Sequence, residues 1–426
     1  MNPELTLKTR RDFLRTGLLG GALTWTVPSF LAGTFSALGE AARDKAPDHD
    51  APILVVVQMA GGNDGLNTVI PFANDEYRRA RPKLAIPAAD VLRLDDELGL
   101  NPALKGLRDL REAGHLGIIQ GVGYPNPNRS HFRSMEIWQT ASDAERFERT
   151  GWIGRYFDNA CAGADATVGV NLGGQLPQAF AASTPKGISL AGARRPGRAD
   201  TGMMADADEE DGGEMAGGSI GMLAGGKPAP AGGVLDYLDR TALDARVSSE
   251  KVGAILAKAK VGTGYPASGL AQQFKLVAQL IAGGLPTRIY YVSQGGYDTH
   301  TNQAQNHARL LGELGDALRA FTLDLKAQGN LGRVLTFTFS EFGRRVGENA
   351  SGGTDHGAAG PMFFIAQKPV AALLGKHPGL APADLNRGDL RYSLDFRGVY
   401  AGVLEGWLRT PSERVLGGKF APVKLA

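Results

Sequence analysis

The chain of 426 residues has a single cysteine, Cys161, so it can form no internal disulfide and no cysteine-rich metal site. Any metal must be held by oxygen and imidazole. Charge of one sign is also scarce. With 46 Lys and Arg against 44 Asp and Glu, the formal net charge of +2 leaves no basic excess for nucleic acid and no bias toward an acidic surface partner. Long apolar runs are missing too. The most apolar N-terminal stretch, 16–38, is interrupted by Pro28 and several hydroxyl residues, which makes it a poor permanent membrane span. Length and ordinary composition are sufficient for one large α/β domain.

The N-terminus carries a recognisable pattern. Thr9-Arg10-Arg11-Asp12-Phe13-Leu14-Arg15 places an arginine pair before Phe-Leu, ahead of a moderately apolar region, as a twin-arginine signal does. Small residues at Ala41 and Ala42 suit cleavage. The expected organisation is a signal at 1–42, a linker at 43–51, and one α/β domain at 52–426. Within it, 194–233 is dominated by Gly, Met, Ala and acidic residues without hydrophobic period, and reads as a surface insertion. The expected partner during export is the twin-arginine translocase. The expected location is periplasmic or extracellular, or membrane-anchored if the signal is retained.

Along the mature chain, short apolar runs rich in β-branched or aromatic residues predict strands at 53–59, 116–122, 288–293 and 334–339. Helical periodicity is present at 131–140, 234–260, 270–282 and 306–328, and behind Asp395 as a cap. Strands alternating with helices predict a doubly wound, mostly parallel sheet flanked by helices.

Polar residues gather where strands end. Asp64 follows the first strand, Asp298 and His300 the third, and Glu341 the fourth. The loop Gly353-Thr354-Asp355-His356-Gly357 adds another imidazole, and Ser130 stands at a helix start. In an open parallel sheet the carboxyl ends share one edge, so these residues can converge. Carboxylates and histidines together make a divalent metal site, and a serine at a helix N-terminus sits where an anion is favoured. Singly, each has a plainer reading: Asp64 as a turn residue, Ser130 as an N-cap, His131 as a helix-start residue beside the site. His115, His307 and His377 read as surface residues, and Cys161 as a small packing residue.

The motifs Ala60-Gly-Gly-Asn-Asp-Gly-Leu-Asn67, Arg129-Ser-His-Phe132, Gly296-Tyr-Asp-Thr-His300, Ser340-Glu-Phe-Gly-Arg344, Gly353-Thr-Asp-His-Gly357 and Asp395-Phe-Arg-Gly-Val-Tyr400 resemble the alkaline-phosphatase and sulfatase superfamily. More closely, they resemble an uncharacterised twin-arginine-exported bacterial family within it. The resemblance implies an alkaline-phosphatase-like α/β fold. It also implies one or two divalent ions (Zn, Mn, Mg or Ca) held by Asp64, Asp298, His300, Glu341 and His356, with Ser130 as nucleophile. Asn63, Arg129, His131 and Asp355 would support the ligands, Asp355 by orienting His356. Two departures stand out. Phe342 occupies the place of a histidine ligand of the second metal, leaving that ion to oxygens of Asp64, Glu341 and Ser130. Asp298 and His300 are also closer together than the usual spacing, so Asn302 competes with His300.

The implied activity is metal-dependent hydrolysis of a small phosphate or sulfate ester outside the cytoplasmic membrane. The alternative is a non-catalytic protein that keeps the fold and binds a ligand or partner.

Overall fold

The computed structural model describes residues 50–184, 186–190, 250–259 and 262–426. The arginine pair Arg10 and Arg11, the signal, most of the linker, the insertion at 194–233 and most of the helical stretch expected at 234–260 lie outside them. Of that stretch, 250–258 is helical.

Strand β1, Ile53–Met59, is the centre of the sheet, and all of it except Gln58 is buried. A strand covered on both faces must be apolar throughout, which is why its sequence reads as an unbroken run. Side chains alternate across it. Ile53, Val55, Val57 and Met59 enter one core, and Leu54 and Val56 the other. The remaining strands are β2 Leu116–Gly123, β3 Gly169–Asn171, β4 Ile188–Ser189, β5 Ile289–Gln294, β6 Val334–Phe339, β7 Gly360–Ile365, β8 Leu373–Leu374 and β9 Leu394–Asp395. Their order is β8-β2-β7-β6-β1-β5-β3-β4, with β9 also paired to β2. β1 pairs in parallel with β5 and β6, whereas β7 runs antiparallel to both β6 and β2. The sheet is therefore parallel apart from β7.

Helices cover both faces. Helices α5, Gly269–Ala282, and α6, Gln303–Ala327, contribute Phe274, Val277, Leu314 and Leu318 to the first core, together with Leu107 and Leu110 from α2, Lys105–Glu112. Helices α3, His131–Thr140, α4, Trp152–Ala160, and α7, Phe396–Gly402, cover the second with Trp138, Trp152, Phe157 and Tyr400. Helix α8, Ser412–Leu416, adds Val415 and Leu416 to the second core, and α1, Asp75–Ala80, buries Tyr77 in a third, smaller cluster. Fully burying such a side chain contributes about 1.5–3 kcal/mol. The architecture is the expected mixed α/β fold with a large, mostly parallel sheet between helices.

β1 and β6 appear at their expected bounds, residue for residue. β5 is shifted by one residue, and α6 begins at Gln303, three residues earlier than its periodicity indicated, behind Asn302 at φ 48°. Three residues of β3 and two of β4 are too few to show a period.

Topology places the loops. The segments after β1, β5 and β6 leave the carboxyl edge, as does the turn after β2 that leads into α3. Because β7 is antiparallel, the loop that precedes it, bearing His356, opens on that same edge.

Candidate functional site

Short backbone contacts knit these loops together. Tyr297 N–H donates to Ala60 O (3.1 Å), Gly357 N–H to Gly343 O (2.8 Å), and Arg345 N–H to Asp355 O (2.9 Å). Gly61 has φ +121°, and a Cβ there would lie 2.3 Å from the Asp298 amide nitrogen, so only glycine lets the two loops approach.

The Asp298 carboxylate is the focus. Its Oδ1 lies 3.1 Å from His300 Nε2, 3.2 Å from His356 Nε2 and 2.6 Å from Arg344 Nη2, and its Oδ2 lies 3.4 Å from His131 Nε2. Partial burial opposes its charge, but the three imidazoles and the guanidinium outweigh that and hold its pKa far below the ordinary carboxylate value. One ligand atom each from His131, Asp298 and His356 falls within 4.8 Å of the others.

The second nitrogen of each ring defines what the first can do. His131 Nδ1 is 3.0 Å from Glu341 Oε1, and His356 Nδ1 is 2.8 Å from the Arg129 carbonyl oxygen. Carboxylate and carbonyl oxygens only accept, so both Nδ1 atoms carry the proton and donate. In the neutral rings both Nε2 lone pairs then face the Asp298 carboxylate. His131 Nε2 is buried and makes no hydrogen bond. Half-burial works against a charge on His131, but the Asp298 and Glu341 carboxylates prevail and raise its pKa to about 9. Lone pairs aimed at a carboxylate require a positive charge between them, either a proton or a cation.

The remaining expected residues divide into those at the cluster and those away from it. His300 touches Asp298 and is 2.9 Å from His356 Nε2, while standing outside the three-residue set. Its pKa is raised, chiefly by the hydrogen bond with Asp298. Asp355 faces His300 Nδ1 at 3.4 Å and accepts from Asn349, so it orients His300 and not His356 as expected. Ser130 is exposed beside His131 and makes no capping hydrogen bond through its side chain. Arg129 directs its guanidinium to Asp389, its Nε 3.1 Å from Oδ2. Glu341 is buried behind His131, where it also accepts from Gly61 N–H at 2.8 Å. Phe342 packs its ring 4.9 Å from that of His131 and 4.5 Å from that of His356, giving the cluster an apolar wall.

Asp64 and Asn63 turn elsewhere. Asp64 is fully buried, with Oδ2 2.6 Å from Arg81 Nη1 and a further hydrogen bond from Gln303. Burial disfavours its charge, yet Arg81 outweighs this and keeps its pKa below the ordinary value. Asn63 Oδ1 is 2.9 Å from His307 Nε2.

Two histidines read as surface residues are buried: His307 against Asn63, and His115 with Nδ1 2.9 Å from Gln367 O. His377 is half-buried, its Nδ1 2.8 Å from Pro378 O. His307 lies on the inner face of α6, where its polar neighbours in sequence hide the packing. Burial lowers its pKa to about 4. Cys161 is free and half-buried, packed against the second core.

Sequence reasoning missed two arginines. Arg344 has a wholly buried side chain. It donates through Nε to Gly62 O (2.7 Å), through Nη1 to Thr354 O (2.9 Å), and through Nη2 to Tyr297 O (2.9 Å), Gly61 O and Asp298. It staples three site loops. Arg81 donates to Asp64, Asn67 (2.8 Å), and the carbonyls of Val346 and Arg345 (both 2.9 Å). For Arg344 the sequence signals are its place just past β6 and at the end of the Ser340–Arg344 motif, and nothing local marks Arg81.

Residues 243–366 match a family described as a protein of unknown function, DUF1501. No curated protein matches. Among solved structures, Ps i-CgsB is 10% identical, with 87% of this chain and 73% of that chain covered, at a TM-score of 0.35. The C-terminal periplasmic domain of EcEptC from Escherichia coli, in complex with Zn, is 9% identical, with 75% and 74% covered, at a TM-score of 0.32. Among the described residues no helix is long and apolar enough to cross a membrane.

Proposed function

We propose that this protein is an exported, metal-dependent hydrolase of small phosphate or sulfate esters. The observation that carries the reading is the convergence of His131, Asp298 and His356 within 4.8 Å, each imidazole with its other nitrogen already engaged. Two nitrogens and a carboxylate oxygen form a three-ligand set with open positions, of the kind catalytic zinc and manganese sites use. A divalent ion bound there would supply Lewis-acid polarisation of the ester and lower the pKa of a nearby hydroxyl.

The chain's own groups have distinct tasks in this reading. Ser130 is the nucleophile, exposed and next to His131 at the start of a ten-residue helix whose unpaired N–H groups favour an anion. Glu341 holds the proton of His131 on Nδ1, and the Arg129 carbonyl does the same for His356. Arg344 fixes the Asp298 carboxylate from behind. Export by the twin-arginine translocase to the periplasm or beyond belongs to the same proposal and rests on Arg10 and Arg11.

Phe342 favours a second reading, a binding protein without turnover, because its ring packs where another nitrogen ligand would reach the cluster. Elemental analysis together with a panel of chromogenic phosphate and sulfate esters separates the two. Turnover supports the hydrolase, and stoichiometric metal without turnover supports binding. Neither metal nor turnover removes the hydrolase reading.

A further inference from the structure

We infer that the site takes one divalent cation per chain, and that two built-in guanidiniums, Arg344 and Arg81, provide the positive charge a second ion would bring. The inference rests on the metal-dependent reading above and concerns how many ions that site holds.

A second ion needs carboxylate oxygens that are free to coordinate. The resemblance assigned it Asp64 and Glu341, and three of their four carboxylate oxygens already have partners. Asp64 Oδ2 is taken by Arg81 at 2.6 Å and by Gln303. Arg81 is itself wholly buried and spends its N–H groups on Asp64, Asn67 and two backbone carbonyls, so it is held in place. Asp64 Oδ1 has no partner, but it offers a single ligand atom. Among the described residues, the one group of three or more His, Cys, Asp and Glu side chains that converges is His131, Asp298 and His356. Glu341 Oε1 accepts from Gly61 N–H and His131 Nδ1, and Oε2 is 3.3 Å from the Ser340 hydroxyl. Coordinating an ion through Glu341 would release the group that orients His131.

Arg344 completes the argument at Asp298. Its guanidinium lies 2.6 Å from Oδ1 and its side chain is completely buried, with carbonyls of three loops accepting from it. An arginine remains protonated at every accessible pH, so this positive charge is permanent. Oδ1 thus already has a fixed cation beside it, while Oδ2 faces the unpartnered His131 Nε2. The arrangement has room for one exchangeable ion.

The test is metal stoichiometry of the full chain, stripped with chelator and titrated with Zn²⁺ or Mn²⁺ by calorimetry, with elemental analysis after gel filtration. One ion per chain is expected. His131→Ala and His356→Ala should each weaken binding at least tenfold, and Asp64→Asn should leave the stoichiometry at one and the affinity within about threefold. If Asp64→Asn does not fold, the paired replacement of Asp64→Leu with Arg81→Met removes both charges and should still bind one ion. Two ions per wild-type chain, or loss of an equivalent in either Asp64 variant, overturns the inference alone. No bound ion overturns it together with the hydrolase reading.

Discussion

His300 Nε2 and His356 Nε2 face each other at 2.9 Å, and both stand within 3.2 Å of the same Asp298 oxygen. Two facing imidazole nitrogens can share only one proton, and the third ring, His131, brings another lone pair to the same carboxylate. Stripping a bound ion should therefore abolish ester hydrolysis, and adding Zn²⁺ or Mn²⁺ back should restore it. A ligand present at a hundred times its Kd stabilises the folded state by about 2.7 kcal/mol. The holoprotein should accordingly melt roughly 3 °C above the chelated form by differential scanning fluorimetry. Identical melting and full activity after verified metal removal would exclude a working ion.

Ser130→Ala should lower turnover by about three orders of magnitude or more, since the replacement removes the only attacking oxygen assigned. The hydroxyl is exposed and caps nothing, so stability should change by no more than about 0.5 kcal/mol. Steady-state kinetics beside a urea melt measures both. A variant with undiminished turnover would take the nucleophile from Ser130.

Much of this frame is legible in the sequence because buried parallel strands write themselves as unbroken apolar runs. β1 and β6 have their expected bounds, and their ends point to Asp64 and Glu341. What a side chain does there is decided by partners far away along the chain. Glu341 looks like a ligand by position, but His131, 210 residues earlier, takes its carboxylate and becomes the convergent group itself. Asp64 likewise looks like a ligand until Arg81 closes on it inside the fold. Periodicity reports which face is buried, and it does not report which buried charges have found each other.

Glu341→Gln tests the division of labour between ligand and support. The amide can still accept through its oxygen, but it loses the charge that holds the proton of His131 on Nδ1. Replacing a partner of this kind weakens metal binding by about 10–100-fold. The measured Kd should rise in that range with the stoichiometry unchanged. Loss of an entire equivalent would instead make Glu341 a direct ligand.

Gly61→Ala probes the close approach of two loops. A Cβ would sit 2.3 Å from the Asp298 amide nitrogen, and φ +121° is strained for any residue with a side chain. Backbone strain of this kind costs about 1–3 kcal/mol, and the displaced loop would carry Asp298 with it. Denaturant unfolding should show the loss of stability and metal titration a parallel loss of affinity. Wild-type values in both would mean that the loops do not meet as described.

His307 sets a pH dependence independent of the metal cluster. Its pKa in the folded protein is lowered by burial to about 4 from the ordinary imidazole value of 6.5. Between those values the unfolded chain binds the proton and the folded chain does not, so stability falls as pH drops from about 6.5 toward 4. This one group contributes about 2 kcal/mol of loss by pH 5, and about 3 kcal/mol once both states are protonated. Below pH 6.5 the carboxylate of Asp64, held ionised by Arg81, resists protonation longer than an ordinary one. His377, lowered by burial, adds to the loss, and His131 and His300, raised by Asp298, oppose it, so the His307 share is read from its variant. Urea unfolding of chelated protein at pH 7 and pH 5 should show the loss. His307→Gln, which can still donate to Asn63 Oδ1, should flatten it by about 2 kcal/mol. An unchanged slope in that variant would mean that the imidazole is charged, or open to solvent, in the folded protein.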